Sequence, residues 1–78
     1  MKKYLIRDTT KRAMGNAFKA YDRHHEEYVI ILCDGGEMML NKALDSHGWY
    51  YHNAVRINNV TADSLQRDGM KTLIIEEV

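Results

Sequence analysis

The chain has 78 residues, of which 45% are hydrophobic and 28% are charged, and these values are typical of a small folded domain rather than a disordered segment. A domain of this length buries one modest core, which favours a binding or regulatory module over an enzyme with a deep cleft. A single cysteine, Cys33, excludes a scaffold held by internal disulfides. No apolar run is long enough for a membrane helix or a secretory signal. We therefore expect a single cytoplasmic domain over residues 1–78 with no membrane partner.

Charge is divided unevenly along the chain although the net charge is zero. Residues 1–25 contain seven Lys and Arg and two Asp, whereas residues 26–78 contain four Lys and Arg and nine Asp and Glu. This polarity suggests surfaces of opposite charge, although folding can interleave the two halves.

The first third of the chain is predicted to form a strand and then a helix. KYLIR at residues 3–7 is apolar in its middle, and Asp8-Thr9-Thr10 offers side chains that can cap a helix. The helix is expected from residue 11 to about residue 24, where apolar residues recur at helical spacing. Those apolar residues are Ala13, Met14, Ala17, Phe18, Ala20 and Tyr21. A hairpin turning at Gly15-Asn16 is the alternative, because glycine weakens a helix interior.

The opposite side of this predicted helix is basic. At about 100° per residue, Arg12, Lys19 and Arg23 lie within roughly 40° of one another and form a basic stripe. Such a stripe contacts phosphates or an acidic protein surface, or it is a solvated helix face.

The middle of the chain contains the strongest strand signal. Residues 28–33 (YVIILC) form a continuous apolar run rich in β-branched residues, which predicts a central strand covered on both faces. Asp34-Gly35-Gly36 breaks the pattern, and a second helix is expected from Glu37 to His47. Gly48 would end that helix in the left-handed conformation.

Segment 49–57 is predicted to form the next strand and has its aromatic residues at the start. Successive strand side chains point to opposite faces, so Trp49 and Tyr51 are expected to face the core. Tyr50, His52 and Arg56 then share the other face, where tyrosine and arginine are typical binding residues unless a helix covers them.

The last third is predicted to contain a turn at Asn58-Asn59, a short helix capped by Thr61 that closes at Gly69, and a strand over residues 71–78. The predicted order is β-α-β-α-β-(short α)-β. We expect a single small domain of the α/β class, with α+β as the alternative, in which a mixed sheet of about four strands packs with two main helices.

Residues with reactive or ligating side chains do not form a recognisable catalytic or metal-binding motif. Cys33 ends the most apolar strand, which predicts a buried thiol, with a reactive cysteine as the alternative. The four histidines and Cys33 lack the close pairs typical of zinc sites, so no metal is expected. The Gly35-Gly36 turn lacks a P-loop lysine and has Asp34 and Glu37 beside it, so we expect an ordinary strand-to-helix turn, with an anion site as the alternative, and no cofactor.

These features favour a small non-catalytic protein-binding module, an inhibitor or regulator of a larger partner like those of phages and mobile elements. The residues expected to contact the partner are Arg12, Lys19, Arg23, Tyr50, His52 and Arg56. The alternative is a nucleic-acid-binding protein that uses the basic face of the first helix, and a further alternative is a small enzyme that uses Cys33. A homodimer formed through a free sheet edge is compatible with each of these functions.

Overall fold

The computed structural model describes residues 3–13 and 15–78. Their elements, in chain order, are β1 (Tyr4–Asp8), β2 (Ala17–Asp22), β3 (Glu27–Cys33), α1 (Gly36–Ser46), β4 (Tyr51–Ile57), α2 (Asn59–Arg67) and β5 (Lys71–Glu77). The fold is a single small α+β domain with one five-stranded mixed sheet and two helices, which confirms the predicted small mixed-sheet domain in its α+β form, with one strand more than expected. Met14, which was placed on the first predicted helix, lies outside the described residues.

The strands are ordered β1-β5-β3-β2-β4 across the sheet. β3 and β5 run parallel, and the other neighbouring pairs are antiparallel. β3 occupies the centre, and its residues Val29 to Cys33 are buried, as the continuous apolar run predicts.

The helix predicted for residues 11–24 is wrong, because residues 17–22 form β2. This strand lies between β3 and β4, and it pairs Ala17 with Leu32 and Asp22 with Glu27. Ala17, Phe18 and Ala20 are all buried, since helices cover parts of both faces of the sheet. Because β2 is buried on both faces, its apolar and polar residues do not alternate as they do in a half-exposed strand. The spacing of its apolar residues then resembles that of a helix.

The alternative hairpin at Gly15-Asn16 is also wrong. The chain bends there, with Gly15 at a φ of 75°, but β1 pairs with β5 and not with β2. The hairpin that does form joins β2 to β3 through residues 23–26.

The two helices pack on opposite faces of the sheet. On one face, Leu40, Ala43 and Leu44 of α1 join the core that contains Phe18 and Ile31. On the other face, Ala62 and Leu65 of α2 pack with Ala17, Ile30 and Leu32. In the part of the chain that the structure describes, no helix is long and apolar enough to cross a membrane.

The helix boundaries agree with the sequence at α1 and differ at α2. α1 ends at Ser46, and Gly48 follows with a φ of 70°, as expected. α2 begins at Asn59, and its N-cap is Asn58, whose side chain accepts a hydrogen bond from the Thr61 backbone N–H at 2.8 Å. The capping side chain is therefore that of Asn58 and not that of Thr61, which contributes only its backbone N–H.

Candidate functional site

A corner of the sheet on the α2 face is left uncovered by the helix. Val55 of β4 and Tyr28 of β3 are 57% and 52% exposed there. Residues directly opposite on neighbouring strands point to the same face; Tyr21 lies opposite both Tyr28 and His52, and Lys19 lies opposite both Ile30 and Val55. We define the open corner as Lys19, Tyr21, Tyr28, His52 and Val55.

The rings of the open corner contact one another edge to face. The Tyr21 ring centroid lies 5.0 Å from that of Tyr28 and 5.6 Å from that of His52, with interplanar angles of 70° and 78°. Lys19 Nζ lies 4.7 Å from the Tyr28 ring centroid. The Nδ1 atom of His52 is buried and has no hydrogen-bond partner among the described residues. These contacts hold a cationic and aromatic surface on a rigid strand framework.

A bulge in β4 divides the residues predicted to share one face. Asn53 has a φ of 56°, and the register of β4 against β2 shifts there. An extra residue reverses the alternation of the side chains that follow it, so His52 and Arg56 lie on opposite faces. The prediction that Tyr50, His52 and Arg56 form one surface is therefore wrong for Arg56.

Arg56 is engaged on the α1 face. Its guanidinium carbon lies 5.0 Å from the Phe18 ring centroid, and Nη1 donates a hydrogen bond to Asn16 Oδ1. Arg56 therefore covers the core near Asn16 and does not contribute to the open corner.

The predicted basic stripe does not form. Arg12 precedes β2 and Arg23 follows it, so the six residues of the strand, about 20 Å in length, separate them. Arg12 Nη2 pairs with Asp63 Oδ2 of α2 at 3.0 Å, which ties the segment before β2 to the helix. Lys19 alone of the three lies on the open corner. The nucleic-acid alternative required these three residues on one face of a helix, and that helix does not form because residues 17–22 are a strand.

Asp22 organises the turn between β2 and β3. It is 1% exposed and accepts hydrogen bonds from the backbone N–H groups of His24 and His25 at 2.9 and 3.1 Å. Its Oδ2 lies 2.8 Å from Nδ1 of the His25 ring. Burial raises the pKa of Asp22, but the hydrogen bonds from His25 and His24 together outweigh it and lower the pKa below its ordinary value.

Two small hollows adjoin this turn and share the His24 and Tyr50 side chains, whose ring centroids are 5.7 Å apart. The smaller has a volume of about 160 Å³, and the larger one of about 360 Å³. The smaller is also lined by Asp22, His25 and Tyr51, and the larger by Arg23, Gly48 and Trp49. We call the two together the turn cleft.

The aromatic residues before β4 differ in burial. Trp49 is 55% exposed with a φ of 63°, so its predicted core position is wrong. Tyr51 packs against the α1-side core as predicted, and burial, followed by the charge of Asp22, raises the pKa of its phenol. The Arg23 N–H donates to the Tyr50 carbonyl at 2.8 Å, so the β2–β4 pairing continues past the strands and joins the two sides of the turn cleft.

Cys33 lies away from both surfaces at the end of β3. It is 1% exposed, its thiol donates to the Gly36 carbonyl at 3.4 Å, and burial raises the pKa of the thiol. A raised pKa lowers the thiolate fraction, and the thiolate is the reactive form. Among residues 3–13 and 15–78, no group of three or more His, Cys, Asp or Glu side chains is placed to hold a metal ion.

The structure brings Lys19 and His52 to the open corner and Arg23 and Tyr50 to the turn cleft, and it places Arg12 and Arg56 elsewhere. Sequence reasoning missed Tyr21, Tyr28 and Asp22. The two-residue spacing of Lys19, Tyr21 and Arg23 indicates a strand face, and aspartate two residues before His24 is typical of a turn in which the carboxylate accepts backbone hydrogen bonds.

Comparison with protein-family models, with curated proteins and with solved structures gave no significant match.

Proposed function

We propose that the protein is a small non-catalytic binding module that docks a partner protein on the open corner and acts as its inhibitor or regulator in the cytoplasm. The observation that carries this proposal is that α2 leaves Tyr28 and Val55 more than half exposed at one corner of the sheet face on which it packs. Tyrosines on a rigid framework bury a large area at a small entropic cost when a partner docks.

The chemistry of the open corner favours a partner surface that offers an acidic group to Lys19 beside apolar contacts. Lys19 supplies a positive charge, and none of the five residues carries a carboxylate. Tyr28 of β3 and Val55 of β4 offer apolar area on the two sides of β2, which carries Lys19 and Tyr21 between them. The tyrosine hydroxyls add hydrogen-bonding groups, and such a mixture of aromatic, apolar and polar area is usual in protein interfaces.

The experiment uses the purified chain as bait in a lysate of its native host, with Tyr28→Ala as the test variant. Met38→Ala is the matched control, because Met38 is 71% exposed on α1, which packs on the other face. A protein retained by the wild type is then purified, and its affinity for each variant is measured by calorimetry. We expect Tyr28→Ala to weaken binding about tenfold or more and Met38→Ala to leave it unchanged.

Circular dichroism of both variants checks that they fold. Sedimentation of the wild type separates partner binding from self-association, which is the alternative use of an exposed surface. Equal affinity of the partner for the wild type and Tyr28→Ala would exclude the open corner as the docking surface.

A further inference from the structure

The turn cleft is a second surface, built from residues that the open corner does not use. We propose that it binds a nucleoside monophosphate, either as a free nucleotide or as the phosphorylated end of a nucleic-acid strand. The proposal stands on an exposed indole and a guanidinium without an ion pair among the described residues, which line the larger hollow, and on an oriented imidazole that lines the adjoining smaller one.

The aromatic part of the cleft is Trp49 and Tyr50, which are 55% and 51% exposed. Gly48 and Trp49 both have left-handed backbone, with φ of 70° and 63°. A bulky residue rarely adopts this conformation, and such outliers concentrate at functional sites. Here more than half of Trp49 is exposed, so part of the indole is available to stack on a base.

The cationic part of the turn cleft is Arg23, which lines the larger of its two hollows together with Trp49. In the described ranges of the chain its guanidinium forms no ion pair with a carboxylate, in contrast to Arg7 and Arg12. A planar guanidinium donates two parallel hydrogen bonds to a phosphate, and an arginine without an internal partner is available to do so.

The third part of the cleft is His25, whose orientation is set by Asp22. Because Nδ1 of His25 faces the Asp22 carboxylate at 2.8 Å, Nδ1 donates to that carboxylate and Nε2 is left for an external partner. A ribose hydroxyl suits this nitrogen, since a hydroxyl can both donate and accept a hydrogen bond. The Asp22 carboxylate already has three hydrogen-bond donors, so its charge is compensated and repels a phosphate less.

The size of the cleft limits the ligand. The two parts have volumes of about 160 and 360 Å³, one below the range for small-molecule sites and one near its lower end. We therefore expect a ligand no larger than one base, one sugar and one phosphate. Both the base and the phosphate are needed, because one contacts the aromatic part and the other contacts Arg23.

The test is fluorescence titration, because Trp49 is the only tryptophan of the chain and reports directly on the cleft. The probes are AMP, UMP, adenosine and inorganic phosphate, and the binding of each is checked by calorimetry. A short single-stranded oligonucleotide with and without a 5′ phosphate distinguishes a strand end from a free nucleotide. We expect saturable quenching by AMP or UMP, with affinity at least about tenfold above that for adenosine or phosphate alone.

Two arginine variants locate the phosphate. Arg23→Ala is expected to weaken AMP binding about tenfold or more, whereas Arg67→Ala, which removes an exposed arginine from α2, leaves it unchanged. Tyr28→Ala is expected to bind AMP like the wild type although it loses the partner protein, so failure of this site and failure of the open corner give different results.

The proposal is overturned if neither nucleotide gives saturable quenching up to about 10 mM, if adenosine binds as tightly as AMP, or if a folded Arg23→Ala variant retains full affinity. Tighter binding of the 5′-phosphorylated oligonucleotide than of AMP supports the site and assigns it to strand ends. Equal or weaker binding of the oligonucleotide, with saturable AMP binding, supports the site and assigns it to free nucleotides.

Discussion

Asp22 shows how one buried carboxylate holds a turn together. Its three hydrogen bonds come from His24 and His25, the residues that lead the chain from β2 towards β3. Hydrogen bonds to a charged group are stronger than those between neutral groups, and a buried carboxylate without them is costly. The carboxylate therefore stabilises both the hairpin and the wall of the turn cleft.

Replacing Asp22 with Asn is expected to lower the free energy of unfolding by about 1–3 kcal/mol, because the charge-assisted hydrogen bonds are lost. Urea unfolding at neutral pH measures the change. Asp68→Asn is the control, since Asp68 is an exposed aspartate at the end of α2. If both variants unfold at the same urea concentration, Asp22 does not hold the turn in the way described.

The stabilising effect of Asp22 is expected to depend on pH with a definite sign. Its pKa in the folded chain is lowered, so its contribution is fully present above the unfolded value of about 3.9 and is lost as the pH falls through the lower folded value. The difference in unfolding free energy between wild type and Asp22→Asn should thus shrink as the pH falls below about 4. A difference that widens as the pH falls below about 4 contradicts the assigned direction.

Asn53 shows how one residue decides which side chains share a face. It is exposed and has a φ of 56°, which asparagine tolerates better than most residues. Asn53→Ala is expected to be less stable than Asn53→Gly by about 1 kcal/mol, because alanine is strained at positive φ and glycine is not. Thermal unfolding of the matched pair measures this. Equal stability of the two variants would mean that position 53 does not adopt the left-handed conformation.

At the scale of the element, α2 controls which part of the sheet is exposed. The helix has nine residues, and its interior contact with the sheet is made by small and medium side chains such as Ala62 and Leu65. A helix of this length is marginal without capping and tertiary packing. The Asn58 cap and the pairing of Arg12 with Asp63 hold it on the sheet.

Asn58→Ala is expected to destabilise the protein by about 1 kcal/mol, because the Thr61 N–H loses its acceptor. Asn59→Ala is the control, since Asn59 is exposed within the first turn and alanine favours a helix. Denaturant unfolding compares the two variants. A larger loss for Asn59→Ala than for Asn58→Ala would contradict the observed cap.

At the scale of the whole molecule, β3 joins two cores that lie on opposite faces. Ile31 belongs to the α1-side core and Ile30 to the α2-side core, and both are fully buried. A domain of this size has a total stability of only about 4–12 kcal/mol. Loss of either core is therefore expected to endanger the whole fold.

Ile30→Ala and Ile31→Ala are each expected to cost about 2–5 kcal/mol, from lost burial and the cavity that remains. Val60→Ala is the control, because Val60 is 75% exposed on α2. Urea unfolding followed by circular dichroism measures all three. A small effect of Ile30→Ala beside a large effect of Ile31→Ala would show that α2 is docked loosely, and the open corner would then extend further across the face.

The sequence by itself determined the elements whose signals are local: the central strand from its unbroken apolar run, and α1 from its helical period and its closing glycine. It did not determine β2, because burial on both faces removes the alternation by which a strand is recognised. Nor did it determine the face occupied by Arg56, because the bulge at Asn53 changes the register by one residue. The open corner and the turn cleft were decided only in the tertiary structure, since each joins residues that are distant in the chain through strand pairing and through the path of a single short helix.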